Sequence, residues 1–149
     1  SHGGYGRGAI SMGERRQARI LALQALYYAD VDKGDPRELL DLFCEHLAGS
    51  VIESVNPLFF QLVNGVAEYL GELDDLLNKY ATNWRVSRMS VVDRNVLRMA
   101  IYEFLHCLDI PATVSINEAV DIGKRFGTRA SGPFVNGVLD RIRLSEQIA

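Results

Sequence analysis

Apolar residues recur at helical spacing through most of this chain. In the segment after Asn56 they repeat every three or four residues as far as about Tyr80, which places them on one face of a helix. The residues in that pattern are Phe59, Leu62, Val63, Val66, Leu70, Leu73 and Leu77. No segment shows the sustained apolar and polar alternation of a half-buried strand. The sequence therefore predicts an all-α protein with six or seven helices.

Capping residues and prolines predict where these helices begin and end. Ser11 with Glu14 has the spacing of a capping box, and so does Ser115 with Glu118. The predicted helices run from Ser11 to about Asp30, from Pro36 to near Gly49, from Pro57 to about Tyr80, from Ser90 to before Pro111, from Ser115 to Gly127, and from Ser131 onward. The first helix is expected to carry Ala18, Leu21, Ala22, Ala25 and Tyr28 on one face. A briefly extended stretch at residues 113–115 is the competing expectation.

The length of 149 residues suits one compact domain with a sizeable core. Residues 1–13 are rich in glycine and lack an apolar period, so we expect a disordered segment, partly the remnant of an expression tag. Residues 14–149 are then the predicted helical domain. The sequence contains neither an apolar run of about 18 residues nor a secretory leader, which favours a cytoplasmic protein.

Charge is unevenly distributed along the chain, whose net charge is −3. Residues 30–80 contain eleven acidic side chains and three basic ones, whereas both ends of the chain are basic. Residues 7–19 contain four arginines against Glu14 alone, and residues 124–143 contain five basic side chains against Asp140 alone. We expect these two ends to converge into one positive surface suited to nucleic acid. The alternative is that each is a solvated helix face.

Motifs for catalysis are not found in the sequence. Gly123-Lys124 is followed by Arg125 rather than by Ser or Thr, and it lacks the earlier glycine of a phosphate-binding P-loop. The adjacent carboxylates Asp74 and Asp75 are better explained as part of a solvated acidic face than as an acid/base pair. The sequence thus predicts a protein that is not an enzyme and that needs no cofactor.

Cysteine and histidine do not predict a metal site either. Cys44 with His46, and His106 with Cys107, are one or two residues apart. Such neighbours point to different faces of a helix and could not readily hold one ion. Two cysteines are also too few for a disulfide framework, so both are expected to be buried thiols.

The connection before the last helix combines cations with an aromatic side chain. Lys124, Arg125 and Arg129 lie in a glycine-punctuated segment, and Phe134 follows near a helix start. Cations, helix N-termini and exposed rings are the groups that hold single-stranded nucleic acid. We therefore predict that the three cations contact phosphates and that Phe134 stacks on a base. The alternative is that Phe134 fixes its helix to the core.

Four segments together resemble one protein family. They are residues 15–27 (RRQARILALQALY), 93–103 (DRNVLRMAIYE), 116–119 (INEA) and 134–140 (FVNGVLD). In this order they are similar to the NusB family of bacterial transcription antitermination factors, over residues 14 to about 143. The resemblance implies an all-helical, non-enzymatic protein that binds boxA RNA together with the ribosomal protein NusE. It further implies that the complex joins the elongating RNA polymerase during ribosomal RNA transcription.

The resemblance also implies roles for particular residues. It assigns RNA contacts to Arg15, Arg16, Arg19 and Phe134. It implies that Tyr27 and Asp93 contact NusE. The alternatives are that Tyr27 is a core aromatic and that Asp93 is a favourable carboxylate at a helix N-terminus. Family members often carry an acid at the position held here by Ala130.

Two other functions remain open at this point. A protein-only adaptor would use the acidic middle of the chain to bind a basic partner while the basic ends lie apart. An isolated NusB-like domain of an RNA-modifying enzyme would share the fold, because the same domain precedes a catalytic domain in certain ribosomal RNA cytosine methyltransferases. We favour the RNA-binding antitermination factor.

Overall fold

The computed structural model describes the backbone of residues 7–46 and 54–149, and the side chains of residues 13–45 and 54–149. These ranges contain seven α-helices, a 3-10 turn at Val86–Arg88 and no strand. The helices are α1 (Arg7–Asp32), α2 (Pro36–His46), α3 (Pro57–Glu68), α4 (Leu70–Tyr80), α5 (Val91–His106), α6 (Ala112–Phe126) and α7 (Ser131–Ser145). The prediction of an all-α fold is confirmed. None of the described helices is long and apolar enough to span a membrane.

The chain divides into two compact units, residues 1–64 and residues 65–149. Helix α3 passes from the first unit into the second, and α4 to α7 belong to the second. The prediction of a single domain over residues 14–149 stays a prediction.

In the first unit, α1 packs against α2. Pro36 begins α2 as predicted, and the backbone N–H of Arg37 donates to the Asp35 carboxylate at 2.9 Å. Phe43 of α2 meets the ring of Phe59 at 5.7 Å between centroids, which helps to hold α2 against the start of α3. Phe60 extends this aromatic cluster.

The start of α1 differs from the prediction. The helix begins at Arg7, so residues 7–13 are helical rather than disordered, and Ser11 lies inside the helix instead of capping it. Residues 1–6 lie outside the described residues. The difference has a simple physical reason, because each residue added to an existing helix gains one hydrogen bond without a new nucleation cost.

The buried face of α1 also differs from the prediction. Leu21 and Tyr28 are exposed, whereas the buried residues of the helix are Ala18, Arg19, Ile20, Ala22, Leu23, Leu26 and Ala29. Ala22, Leu23, Leu26 and Ala29 keep helical spacing from Ala18 and Arg19. Arg19 therefore lies on the buried side of α1.

The predicted long helix from Pro57 to Tyr80 is two helices. Tyr69 separates them, with φ −102° and ψ 18°, which lies outside the usual helical range. Its ring stacks on His106 of α5, with 4.1 Å between ring centroids. Because this stacking joins residues far apart in sequence, the helical period alone could not show the interruption.

Helix α5 lies at the centre of the second unit. All residues from Asn95 to Phe104 are buried, and α4, α6 and α7 pack against the helix. Its N-terminus is capped as predicted, since the Asp93 N–H donates to Ser90 Oγ at 3.1 Å. Cys107, just after its end, is a buried thiol as expected, but Cys44 on α2 is exposed, so that expectation was wrong. The side chain of His46 lies outside the described residues.

Two polar contacts join α5 to its neighbours. Arg98 makes a two-pronged ion pair with Asp74 of α4, through Nε at 2.8 Å and Nη2 at 2.9 Å. Ser115 Oγ of α6 donates to the buried carboxylate of Glu103 at 2.7 Å. Buried polar groups need such partners. Arg98 and Glu103 of the 93–103 segment therefore help to hold the neighbouring helices together.

The start of α6 corrects a second capping prediction. The helix begins at Ala112, directly after Pro111, so Ser115 is inside the helix and residues 113–115 are helical rather than extended. Its hydroxyl bonds to Glu103 instead of capping a helix end. The sequence did not reveal this partner because Glu103 lies on another helix.

The turn from α6 to α7 is tight. As predicted, α6 ends before Gly127 and α7 begins at Ser131. A Cβ on Gly127 would lie 2.8 Å from the Gly123 carbonyl oxygen and would also meet Ser131 Oγ. That hydroxyl instead accepts a hydrogen bond from the Thr128 N–H at 2.9 Å. The turn thereby fixes where the first residues of α7 lie.

Candidate nucleic-acid interface

Phe134 lies in the first turn of α7, where its side chain is half-buried rather than part of the core. It lines a groove of about 220 Å³ that also includes the first turn of α5. The other residues lining this Asp93 groove are Trp84, Arg88, Met89, Ser90, Asp93 and Ala130. The ring is therefore partly accessible to a ligand.

Asp93 is placed in this groove by the cap at the start of α5. Its backbone N–H is bonded to Ser90 Oγ, which fixes the first turn. Its Oδ1 atom is buried and has no hydrogen-bond partner within the described part of the chain. A buried acceptor of this kind favours a donor from outside, such as a lysine or arginine of a bound protein.

A second groove lies beside the first and shares two of its residues. It also measures about 220 Å³, and Trp84 and Phe134 line both grooves. The remaining residues lining this Arg141 groove are Ala81, Thr82, Asn83, Pro133, Gly137, Val138 and Arg141. Arg141 is held there, because its Nη1 donates to the Tyr80 carbonyl at 2.7 Å.

Trp84 is a residue that sequence reasoning missed. Its side chain is 52% exposed, although the large apolar ring of tryptophan favours burial. It lies in the connection between α4 and the 3-10 turn. The available signal was a lone tryptophan within a polar segment, Thr82-Asn-Trp-Arg85.

Lys124 and Arg125 lie in the last turn of α6, and Arg129 lies in the connection that leads to α7. Lys124, Arg125 and Arg129 all have exposed side chains. The stem of Lys124 crosses the second residue of α7, where a Cβ on Gly132 would lie 2.8 Å from Lys124 Cγ. The structure thus brings Lys124 next to the helix turn that carries Phe134, whereas the Arg125 guanidinium lies over the ring of Phe126 at 5.1 Å.

The predicted site residues of the first unit differ in exposure. Arg15 is exposed and Arg16 is half-buried, but Arg19 is only 3% exposed. Tyr27 is exposed on α1, where its ring meets Tyr28 edge-on at 6.1 Å between centroids. Of the three arginines, Arg15 and Arg16 are thus the ones that α1 presents at a surface. The convergence of the two basic ends stays a prediction.

Comparison with known proteins identifies the family. The family model described as "NusB family" matches residues 16–143 of this chain. The chain belongs to the NusB family. The resemblance found in the four sequence segments is therefore confirmed.

Full-length relatives agree with this assignment. The chain is 63% identical over 137 residues to transcription antitermination protein NusB of Desulforapulum autotrophicum, which covers 92% of this chain and 96% of the relative. It is 43% identical over 130 residues to the protein of the same name from Bacillus subtilis, covering 87% and 95%.

Solved structures of NusB proteins share the fold. NusB of T. maritima superimposes with a TM-score of 0.72 at 41% identity, covering 86% of this chain and 89% of that chain. A second similar chain comes from a crystal structure of the antitermination factors NusB and NusE in complex with double-stranded RNA. Its TM-score is 0.73 at 26% identity, over 90% of this NusB-family chain and 98% of the other.

Proposed function

We propose that this chain is a transcription antitermination factor that binds boxA-type RNA together with the ribosomal protein NusE. The complex would join the elongating RNA polymerase during ribosomal RNA transcription, in the cytoplasm. One observation carries the proposal: in a NusB-family chain, exposed cations in the last turn of α6 and in the next connection precede a first turn of α7 that carries the half-buried ring of Phe134.

The RNA is expected to bind through two kinds of contact. Lys124, Arg125 and Arg129 contact phosphates, and the positive end of the α7 helix dipole lies close to Arg129 in the chain. Phe134 stacks on an unpaired base, because sequence-specific recognition of RNA usually targets single strands.

The arginines of α1 are a second proposed contact with RNA. Arg15 and Arg16 would meet phosphates, since their side chains reach a surface. Arg19, which the resemblance also assigns to RNA, is buried, so we assign it a supporting role behind them.

NusE is expected to bind through Asp93 and Tyr27. The Asp93 carboxylate offers a buried oxygen acceptor, which a basic side chain of a ribosomal protein would satisfy. Tyr27 offers an exposed ring with a hydroxyl, a combination that is frequent at protein interfaces. We propose that the chain acts by forming this complex rather than by catalysis.

Assembly of the purified components tests the proposal. The chain is mixed with NusE and a single-stranded boxA-type RNA, and the mixture is separated by size-exclusion chromatography. We expect one peak that contains all three components. Co-elution of the chain with NusE while the RNA elutes alone would instead identify a protein-only adaptor. A duplex of the same RNA sequence serves as the control for strandedness.

A further inference from the structure

On the basis of the proposed function, we propose that the Arg141 groove is a base-binding subsite for single-stranded RNA, with Trp84 as a stacking residue. Nothing in the sequence motifs assigned a role to Trp84. The groove lies between the segment Ala81-Thr-Asn-Trp84 and residues 133–141 of α7, and Phe134 is one of its lining residues.

The rings of the groove suit a nucleobase. Trp84 and Phe134 both line it, and Trp84 is half-exposed. Stacking of bases on aromatic side chains is favourable for every base, because each has a π-face. An exposed tryptophan that already borders a groove is therefore well placed to receive one.

The polar residues of the groove suit a nucleotide as well. Thr82 and Asn83 each carry a donor and an acceptor, which can bond to the edge of a base. None of the nine residues lining the groove is acidic. The Asp93 groove, in contrast, is lined by one carboxylate and one cation, Arg88, so it has no excess of positive charge for a phosphate.

Arg141 supplies the charge that the RNA backbone needs. Its guanidinium has five N–H donors, and the bond to the Tyr80 carbonyl holds the group in place. The remaining donors can bond to a phosphate of the bound strand. The combination of two rings, two bifunctional polar groups and one positioned cation favours RNA over an acidic or apolar peptide.

The two grooves have two aromatic residues in common. Trp84 and Phe134 line both, while Arg141 belongs to one and Asp93 to the other. RNA in the Arg141 groove and a basic side chain of NusE in the Asp93 groove would thus contact the same pair of rings.

Fluorescence tests the inference directly, because Trp84 is the single tryptophan of the chain. Unlabelled single-stranded boxA-type RNA is titrated into the full chain while tryptophan emission is recorded. We expect quenching that saturates along the same curve as the anisotropy of a labelled copy of the RNA. Binding of the RNA without any change in tryptophan emission would overturn the inference while leaving the proposed function intact. Absence of RNA binding by the chain both alone and with NusE present would overturn both.

Two substitutions of Trp84 distinguish the effect of an aromatic ring from that of an apolar side chain. Trp84→Leu removes the aromatic ring and should lower RNA affinity roughly 5- to 100-fold. Trp84→Phe keeps a smaller ring and should lose less. Equal affinity of the Trp84→Leu variant and the parent protein would contradict the role in stacking, as would a loss confined to NusE binding.

Filling the groove gives an independent test that does not alter a ring. Gly137 lines the groove, and a Cβ there would meet nothing within 4 Å, so the side chain added by Gly137→Leu starts in open space at the groove wall. We expect a loss of RNA affinity of at least about 10-fold with an unchanged or higher melting temperature, since glycine is unfavourable inside a helix.

Gly71→Leu is the matched control for this variant. Gly71 also lies in a helix of the second unit with open space around its Cβ position, and it does not line the Arg141 groove. Its substitution should leave RNA affinity unchanged. Retention of full affinity by Gly137→Leu, or an equal loss in both leucine variants, would overturn the assignment of the groove.

Discussion

Asp93 and Phe134 line the same groove, although one lies in the first turn of α5 and the other in the first turn of α7. The family resemblance implied that Asp93 faces the protein partner and Phe134 faces RNA, which we expected to be two separate surfaces. Their proximity means that NusE and RNA would bind side by side. The predicted roles of the two residues therefore have to be separated by experiment.

Asp93→Asn tests the role of the carboxylate in partner binding. The substitution keeps the shape but removes the charge, so NusE should bind more weakly while the isolated chain keeps nearly all of its RNA affinity. The folded state should lose about 0.3–1 kcal/mol, because a negative charge near a helix N-terminus is favourable. Isothermal titration with NusE and anisotropy with RNA measure the two affinities.

Asp109→Asn is the control for that change in net charge. Asp109 is exposed in the connection between α5 and α6, outside both grooves. If RNA affinity falls in Asp93→Asn as much as NusE affinity does, Asp93 does not act chiefly on the protein partner.

Phe134→Ala tests stacking against a structural role. Loss of the ring should cost about 1–3 kcal/mol of RNA affinity, with little change in the salt dependence, since the phosphate contacts remain. Because Phe134 is only half-buried, the loss of folding stability should be smaller than the roughly 3–5 kcal/mol of a buried phenylalanine. RNA titration and thermal unfolding are measured on the same variant.

Leu139→Ala on the same helix gives the contrasting case. Leu139 is fully buried, so its truncation should cost about 2–5 kcal/mol of stability. The folded fraction of that variant should still bind RNA normally. A Phe134→Ala variant that behaves in the same way would remove Phe134 from the RNA site.

Asp74→Asn tests the contact that joins α4 to α5. It removes one partner of the ion pair to Arg98, whose side chain is nearly buried, and should cost roughly 1–3 kcal/mol of unfolding free energy. Asp75→Asn, next to it but exposed, should change stability by less than about 0.5 kcal/mol. Urea unfolding of both variants decides this, and equal midpoints would show that the ion pair contributes nothing measurable.

Local sequence signals predicted much of the fold. Pro36, Pro57, Ser90 and Ser131 stand at or next to observed helix starts, because capping and a fixed proline φ act within one turn. The predictions of an unbroken helix through Tyr69 and of a helix cap at Ser115 were wrong. Each side chain contacts a residue on another helix, His106 for Tyr69 and Glu103 for Ser115, and sequence spacing does not show such contacts.

The candidate site was predictable only in part. Cations and an aromatic residue close together in sequence predicted a nucleic-acid site near the start of α7. In the structure the side chains of Lys124, Arg125 and Arg129 are exposed and that of Phe134 is half-buried. Trp84 was not found, because its place beside Phe134 depends on how α4 and α7 pack. Arg19 was placed among surface residues, although its spacing to Ala22 and Leu23 matched the buried face.

The central claim is that this chain contacts RNA directly, and the salt dependence of RNA binding tests it. A labelled single-stranded boxA-type RNA is titrated with the isolated chain at several salt concentrations, and again with NusE present. With about three to five phosphate contacts, log affinity should fall against log salt with a slope of roughly −2 to −3.5. Arg129→Gln should reduce that slope by about 0.7, while Lys33→Gln, on an exposed turn of the first unit, should not. A flat salt profile, or RNA binding that appears only through NusE, would contradict direct contact and identify a protein-only adaptor.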